Sequence, residues 1–185
     1  MRVITGEARG IKLLTPEGTS TRPTTDRVKE AMFSILQFEI EGRDVLDLFA
    51  GTGQLGIEAL SRGANRAVFV DSGAPAVRLI KENLRRTKLG DRGRVYQCDY
   101  QKYLQTCGEK FDLIFLDPPY AEKFLENALE IISEIDILRV GGIIICEKTM
   151  EKVLEREVKG LQLHREYRYG KSSLVLYKKG AKDSL

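Results

Sequence analysis

The chain has 185 residues, of which 42% are hydrophobic and 31% are charged, and its formal net charge is +3. This composition predicts one soluble globular domain with a substantial core, and no apolar run reaches the roughly 20 residues that span a bilayer. The start of the chain has no secretory signal pattern, so the expected compartment is the cytosol. Three widely spaced cysteines and a single histidine argue against a disulfide framework, a metal site or a histidine relay.

The sequence predicts a single domain over residues 1–185. Within it, the first 43 residues are expected to form a small appendage that packs on the core. Residues 1–18 indicate two short strands joined by a glycine-containing turn, and residues 20–36 predict a helix. Either Thr25 or Asp26 can accept hydrogen bonds from the first free N–H groups of that helix. Its apolar residues recur at helical spacing, which gives the helix one face for packing.

Residues 44–179 alternate between strand and helix patterns and predict an α/β core. The predicted strands lie at 44–49, 66–71, 94–99, 111–117, 141–148, 161–169 and 172–178. The predicted helices lie at 57–63, 74–89, 100–106, 121–135 and near 149–157. This alternation favours a mostly parallel sheet with helices on both faces, closed at one edge by an antiparallel hairpin around Gly170. Ligands bind such sheets beyond the carboxyl ends of the strands.

A glycine-rich loop, G-x-G-x-x-G, follows the first core strand and precedes a helix. Its glycines are Gly51, Gly53 and Gly56, and the next strand ends about 20 residues later in Asp71. Glycines allow a tight turn and close approach of a ligand, and the acid can accept hydrogen bonds from ribose hydroxyls. The spacing suits a dinucleotide site and an adenosine ligand without phosphate equally well. The plainer interpretation is a strand-to-helix turn.

Two further acids favour a cationic nucleoside over NAD. Asp47 lies inside the first strand, where its charge would repel a pyrophosphate. Asp99 ends the third strand and can accept a hydrogen bond from an adenine amino group. Together with Asp71 these acids match a sulfonium nucleoside, which joins a positive charge to an adenosine.

The fourth core strand ends in Asp117-Pro118-Pro119-Tyr120. Each proline fixes φ and removes an N–H donor, and an ionised aspartate only accepts hydrogen bonds. This combination predicts a rigid set of acceptors for an –NH2 group, while Tyr120 offers a flat face for stacking a base. Two acceptors on an exocyclic amine can turn its lone pair towards an incoming methyl group. The plainer interpretation, a strand-to-helix stop, needs only one proline.

These motifs together resemble the class I, S-adenosylmethionine-dependent amino-methyltransferases. More narrowly, the chain is similar to the bacterial family that methylates guanine N2 in 16S small-subunit ribosomal RNA, from about Arg2 to Tyr177. That similarity lies in the segments GEARGIKLLTPEG, RPTTDRVKEAMFSIL, LDLFAGTGQLGIEALSRGA and YGKSSLVLY. Asp71 is a mild departure, since glutamate is common there. The resemblance implies a Rossmann-like sheet of seven strands with the last one antiparallel.

The resemblance also implies roles for individual residues, with no metal and no membrane involved. The residues expected at the cofactor are Asp47, Phe49, Ala50, Gly51, Thr52, Gly53, Asp71, Ser72, Asp99, Tyr100 and Asp117. The residues expected to hold the target guanine are Asp117, Pro118, Pro119 and Tyr120. The expected RNA contacts are Arg9, Lys12, Arg22, Thr24, Arg27, Arg85, Arg86 and Lys88. A stacked guanine cannot enter such a pocket, so a flipped or single-stranded base is expected, in free RNA or in the small ribosomal subunit.

Alternatives remain open at this point. Arg22 and Thr24 could touch the cofactor instead of RNA, or form only a helix-capping turn. The Asp-Pro-Pro-Tyr motif also occurs in DNA adenine-N6 and cytosine-N4 methyltransferases, although those usually carry a target-recognition region for which this chain has no room. An NAD-dependent oxidoreductase would need a substrate domain and a hydride-transfer acid. A catalytically silent RNA-binding module would not need acceptors for an amine.

Overall fold

One mixed β-sheet forms the centre of the protein in the computed structural model, which describes residues 1–16, 23–119 and 123–180, without the side chains of residues 23–25. The strand order is β3-β2-β1-β4-β5-β8-β7-β6. Neighbours among β1 to β5 pair in parallel, and β8, β7 and β6 continue the sheet antiparallel. The strands are β1 (Asp44–Asp47), β2 (Arg66–Asp71), β3 (Gly93–Gln97), β4 (Phe111–Leu116), β5 (Leu138–Thr149), β6 (Glu157–Val158), β7 (Leu161–Tyr169) and β8 (Ser172–Lys179).

Helices cover both faces of the sheet and divide the buried side chains into two cores. The helices are α1 (Pro23–Ile35), α2 (Gln54–Ser61), α3 (Ala74–Thr87), α4 (Tyr100–Thr106) and α5 (Phe124–Ile135), with a 3-10 turn at Gly90–Arg92. Side chains of α1, α2 and α3 pack with Val45 and Phe115 in one core. Those of α4 and α5 pack with Leu46 and Leu116 in the other. Successive residues of a strand point to opposite faces, so each strand supplies both cores.

The predicted fold class is confirmed, including helices on both faces and the antiparallel hairpin at one edge of the sheet. The hairpin turns at Gly170, whose φ of 59° lies in the left-handed region that glycine tolerates. The number of strands differs from the seven expected, because the two-residue strand β6 pairs with β7 as an eighth. None of the helices in the described parts of the chain has the length and apolarity that crossing a membrane would require.

The predicted helix near residues 149–157 is wrong. β5 continues to Thr149, which pairs with Ser172, and a turn and an extended segment follow. That segment is held by tertiary hydrogen bonds: the Tyr177 hydroxyl donates to the carbonyl of Glu155 (2.5 Å), and the Leu163 N–H donates to the carbonyl of Arg156 (2.7 Å). Pairing with the hairpin therefore overrides the local helical pattern.

The N-terminal appendage is fastened to the end of α2. Backbone N–H groups of Ile4 and Thr5 donate to the buried Glu58 carboxylate (2.7 and 3.0 Å). The Ser61 hydroxyl donates to the carbonyl of Thr5 (2.6 Å) and accepts from the N–H of Ala8 (3.0 Å). The two predicted short strands reduce to a single antiparallel bridge between residues 2 and 12. The appendage shares the core of α1, α2 and α3.

Candidate active site

A cavity of about 410 Å³ opens at the carboxyl edge of the sheet, where β1, β2, β3 and β4 end. Parallel strands end at a common edge, and this brings together loops that are distant in sequence. The volume lies within the ~300–1,000 Å³ typical of small-molecule sites. The lining residues are Leu48, Phe49, Gly51, Asp71, Ser72, Cys98, Asp99, Tyr100, Asp117, Pro118, Pro119 and Phe124.

A larger cavity of about 590 Å³ lies between α5 and β7, beside the residues that precede β5. Its charged side chains already have partners: Asp136 pairs with Lys110 (3.1 Å) and Lys179, and Lys159 pairs with Glu130 (3.4 Å) and Glu134. Paired surface charges offer little to a ligand. We therefore place the candidate site in the smaller cavity, where acids, prolines and aromatic rings converge.

The glycine loop turns through two residues in the left-handed region, Gly51 (φ 56°) and Gly53 (φ 79°). A Cβ on Gly51 would meet no atom within 4 Å, so the loop backbone is open towards the cavity at that residue. Gly56 has a different role, because a Cβ there would lie 2.3 Å from the ring of Phe69. Gly56 therefore allows α2 to approach β2 closely, while Gly51 and Gly53 shape the turn.

Asp71, at the end of β2, fixes the loop through direct hydrogen bonds. One carboxylate oxygen accepts from the N–H of Gly51 (2.9 Å) and the other from the N–H of Gly73 (2.8 Å). A carboxylate has about four acceptor positions, so further donors can still bind. The same side chain can thus organise the loop and accept hydrogen bonds from a ligand's hydroxyl groups.

The loop is also tied to the appendage through Asn83 of α3, which is fully buried. Its amide N–H donates to the carbonyls of Thr52 (2.9 Å) and Leu14 (3.1 Å), and its carbonyl accepts from the N–H of Leu14 (2.7 Å). Ala50, Thr52 and Gly53 do not line the cavity. Their expected role at the cofactor stays a prediction.

An aromatic group forms the wall of the cavity next to Asp99. The rings of Phe49, Tyr100 and Phe124 lie with centroids 5.0 to 6.0 Å apart. Asp99 caps α4 by accepting from the N–H of Gln101 (2.8 Å), and it remains exposed. The Asp99 carboxylate can cap α4 and still accept a hydrogen bond from an amino group, because it has further acceptor positions.

Asp47 lies behind the loop and does not line the cavity. It is 1% exposed and accepts from the N–H of Gly56 (3.0 Å). Burial raises its pKa to about 7, and the nearby Asp117 and Asp71 add to that shift, whereas the Gly56 N–H and Lys29 oppose it. Direct contact between Asp47 and a cofactor therefore stays a prediction, while its hydrogen bond to the start of α2 is evident.

Asp117, Pro118 and Pro119 all line the cavity, at the end of β4. Burial raises the pKa of Asp117 well above its usual range, and so does the neighbouring Glu147, while Lys29 opposes the rise. Elevated carboxyl pKa values of this kind are concentrated at functional sites. Tyr120 lies outside the described residues.

The basic residues expected to contact RNA lie away from the cavity lining and are exposed. Arg9 and Lys12 belong to the appendage, Arg27 to α1, and Arg85, Arg86 and Lys88 to the end of α3. The guanidinium of Arg86 donates to the carbonyl of Lys12 (3.3 Å), so α3 and the appendage meet there. Arg22 and the side chain of Thr24 lie outside the described residues.

Sequence reasoning missed two kinds of residue. Leu48, Cys98 and Phe124 line the cavity but carry no motif of their own. Lys29 and Glu147 are buried polar side chains near Asp117 that only the fold brings together. Lys29 could have been noticed, because it shares the helix spacing of the apolar residues that face the core.

Comparison with known proteins places this chain among relatives of matching length. The family model described as conserved hypothetical protein 95 matches residues 1–178. The chain belongs to this family. Bacillus subtilis YlbH, provisionally named an rRNA methyltransferase, is 42% identical over 182 residues, which cover 97% of this chain and 99% of YlbH. Ribosomal RNA small subunit methyltransferase D of Escherichia coli is 34% identical, over 98% of this chain and 91% of that protein.

Solved structures agree with this family membership. The Escherichia coli protein yhhF, provisionally named a methyltransferase, has a TM-score of 0.88 and 34% identity, over 98% of this chain and 99% of that one. An RNA methyltransferase of Salinibacter ruber, solved with S-adenosyl-L-homocysteine, has a TM-score of 0.64 at 13% identity, over 89% of this chain and 95% of that one. The second likeness concerns the fold alone. The protein has a class I methyltransferase fold.

Proposed function

We propose that this protein transfers a methyl group from S-adenosyl-L-methionine to the exocyclic N2 amine of a guanine in 16S ribosomal RNA. Methylation of ribosomal RNA is supported by the names of relatives at 34% and 42% identity. The observation that carries the proposal is the meeting of Gly51, Asp71 and the Asp117-Pro118-Pro119 segment in one cavity. This meeting supports the proposal that a nucleoside site adjoins an acceptor site for an amine.

The donors and acceptors of the cavity fit the proposed cofactor. Asp71 and Asp99 supply carboxylate oxygens suited to ribose hydroxyls and an adenine amino group. The aromatic group of Phe49, Tyr100 and Phe124 supplies apolar faces for a purine. When bound, S-adenosyl-L-methionine supplies an electrophilic methyl group on a cationic sulfur. The acidic character of the cavity favours that charge.

Asp117 is the residue expected to hold the target amine. Its carboxylate accepts a hydrogen bond from the –NH2 group, and the rigid carbonyl of a neighbouring proline can accept the second. With both hydrogens held, the nitrogen lone pair points away from the ring plane towards the methyl donor. After the methyl group is attached, the cationic amine would pass a proton to the Asp117 carboxylate or to solvent, so a strong base is not needed before attack.

The proposed substrate is a guanine flipped from its stack or lying in a single-stranded region, since a stacked base cannot reach the cavity. The exposed basic residues of the appendage, α1 and α3 are proposed to contact the RNA backbone. These are Arg9, Lys12, Arg27, Arg85, Arg86 and Lys88. An RNA substrate of this kind leads us to propose a cytosolic location.

The test is incubation of the protein with methyl-labelled S-adenosyl-L-methionine and either 16S RNA or small ribosomal subunits, followed by nucleoside analysis. Label in N2-methylguanosine supports the proposal. Label in N6-methyladenosine or N4-methylcytidine, or label in DNA only, would show that the substrate is a different base or nucleic acid. The methylated group would still be an exocyclic amine. The matched control is Asp117→Ala, which removes the carboxylate and should leave the RNA unlabelled.

A further inference from the structure

Lys29 is a lysine in a position that normally belongs to an apolar residue. On α1 it shares the i, i+3, i+4, i+7 spacing of Met32, Phe33 and Leu36, all of which are buried. Its own side chain is only 9% exposed, and the ammonium donates to the side-chain carbonyl of Gln54 (2.6 Å). Lysine is rarely buried unless its charge has partners, so the surroundings of this ammonium need an explanation.

Three carboxylates lie on the same face of the sheet as Lys29. Val45, Phe115 and Ile145 point into the core beneath α1, α2 and α3. Side chains alternate along a strand, so the residues two positions later face the same side. These residues are Asp47, Asp117 and Glu147. Leu116 pairs with Cys146 in the parallel β4–β5 ladder, which sets Asp117 beside Glu147.

This face therefore brings three acidic side chains together with one buried lysine. Asp47 is 1% and Glu147 is 4% exposed. Glu147 raises the pKa of Asp117, Asp117 raises that of Asp47, and Lys29 lowers both. A second buried lysine, Lys148, follows Glu147 on the opposite face by the same alternation, where it pairs with Glu166 of β7 (2.9 Å).

We propose that Lys29 is a positioning residue for Asp117: its buried ammonium keeps the Asp117 carboxylate charged and so able to accept a hydrogen bond from the target amine. The last clause rests on the proposed function, whereas the effect of Lys29 on Asp117 does not. A protonated Asp117 would be a donor on one oxygen and would compete with the amine hydrogens. Lys29 belongs to α1, so by this proposal the N-terminal part of the chain contributes to the amine site through Asp117.

The direct test is a carbon-13 carboxyl NMR titration of Asp117 in the wild type, Lys29→Met and Lys29→Arg, with Asp117→Asn to assign the resonance. Loss of the ammonium in Lys29→Met should raise the pKa of Asp117 by about one unit or more, the usual effect of a nearby opposite charge. Lys29→Arg should return it close to the wild-type value. The matched control is Lys148→Met, which removes a buried lysine from the other face and should leave Asp117 unchanged.

An unchanged Asp117 titration in folded Lys29→Met would overturn the inference, and so would an equal shift in Lys148→Met. Should the methionine variant fail to fold, Lys29→Gln removes the same charge with a polar side chain and is judged by the same criterion. The titration needs no RNA, so it remains decisive for Lys29 even if the wild type methylates no RNA and the proposed function fails.

A second readout separates positioning from a merely structural role. If the protein methylates RNA, Lys29→Met should lose more kcat at pH 6.5 than at pH 8.5, because deprotonation of Asp117 at higher pH restores the acceptor. Loss of packing alone would lower kcat by the same factor at both pH values, and that result would contradict the positioning role. KM for the cofactor should change by less than about tenfold.

Discussion

The two sides of the cavity are stabilised in opposite ways. On the side of the glycine loop, the Asp71 carboxylate accepts two backbone N–H groups (2.9 and 2.8 Å), and Asn83 ties Thr52 to the appendage. On the side of Asp117, acidic side chains lie at the ends of adjacent strands, where burial and a neighbouring carboxylate raise the pKa values of Asp47 and Asp117. The first side has its hydrogen bonds in place without a ligand, whereas on the second side burial and neighbouring acids oppose ionisation of Asp47 and Asp117.

This difference indicates that the loop side serves cofactor binding and the Asp117 side serves the chemical step. The loop at which a cofactor would bind is already fixed by hydrogen bonds. Cofactor binding should therefore lose little conformational entropy in the loop. Carboxylates held together against their repulsion reduce stability, and such groups persist where chemistry needs them. Substitutions on the two sides should therefore separate binding from turnover and stability from activity.

The largest expected effect comes from Asp117→Ala. Turnover should fall roughly 10²–10³-fold or more, the cost of removing one preorganised polar group from an active site. Affinity for S-adenosyl-L-methionine, measured by isothermal titration calorimetry, should stay within about tenfold, because the loop side is untouched. Wild-type turnover in this variant would remove Asp117 from the mechanism.

Asp71→Ala should produce the reverse pattern. It leaves the N–H groups of Gly51 and Gly73 without their acceptor, which costs about 1–3 kcal/mol and corresponds to a roughly 10–100-fold loss of cofactor affinity. Turnover at saturating cofactor should fall less. The matched control is Asp71→Glu, which keeps the carboxylate and should bind within a few-fold of the wild type. Binding of NAD in place of S-adenosyl-L-methionine would discard the methyltransferase interpretation.

Asp47→Asn should stabilise the protein increasingly as pH rises from about 4 to 7, with the full gain above neutral pH. The pKa of Asp47 is raised from its ordinary value to about 7. Between those two values the folded state binds a proton that the unfolded state has lost, so the free energy of unfolding falls as pH rises through that window. Asparagine cannot ionise, yet it can still accept from the Gly56 N–H. Urea denaturation at pH 8 should show a gain of about 2–4 kcal/mol.

The same denaturation experiment at pH 4 serves as the control for Asp47→Asn. There Asp47 is protonated in the folded wild type, so the variant and the wild type should have nearly equal free energies of unfolding. A gain of the same size at pH 4 and pH 8 would show that the effect arises from packing instead of charge.

The smallest effect is expected on the RNA-binding surface. Lys12→Ala should weaken RNA binding by a similar factor for all sequences and lower the slope of log affinity against log salt by about 1. Arg85→Ala is the matched control, because its guanidinium already pairs with Glu82 (2.6 Å) and it should change the slope less. A binding constant that does not respond to salt would exclude these backbone contacts.

Much of the site could be predicted because its residues belong to short motifs that can be recognised in the sequence. The glycine turn, the acid at the end of β2 and the Asp-Pro-Pro segment are short motifs at strand ends, and a parallel sheet brings such ends together. The spacing of Lys29 marks it as an unusual buried lysine, but neither Lys29 nor Glu147 could be assigned to the site from the sequence, because only the fold brings them near Asp117.

The errors in the fold have the same origin. The segment near residues 149–157 carries a helical pattern, yet the partners of Glu155 and Arg156 are residues of the hairpin strands β7 and β8. The extra strand β6 exists because it pairs with β7. Local propensity was sufficient where an element packs through its own periodic face, and insufficient where strand pairing decided its conformation.

The central claim is that a methyl-donor site adjoins the acceptors of Asp117. A crystal structure with S-adenosyl-L-homocysteine tests it most directly. The ligand should lie in the cavity between Gly51 and Asp117, with its ribose at Asp71 and its sulfur on the side of the Asp117 carboxylate. A ligand bound elsewhere, or one whose sulfur faces away from Asp117 with no path for methyl transfer, would contradict this arrangement of the site.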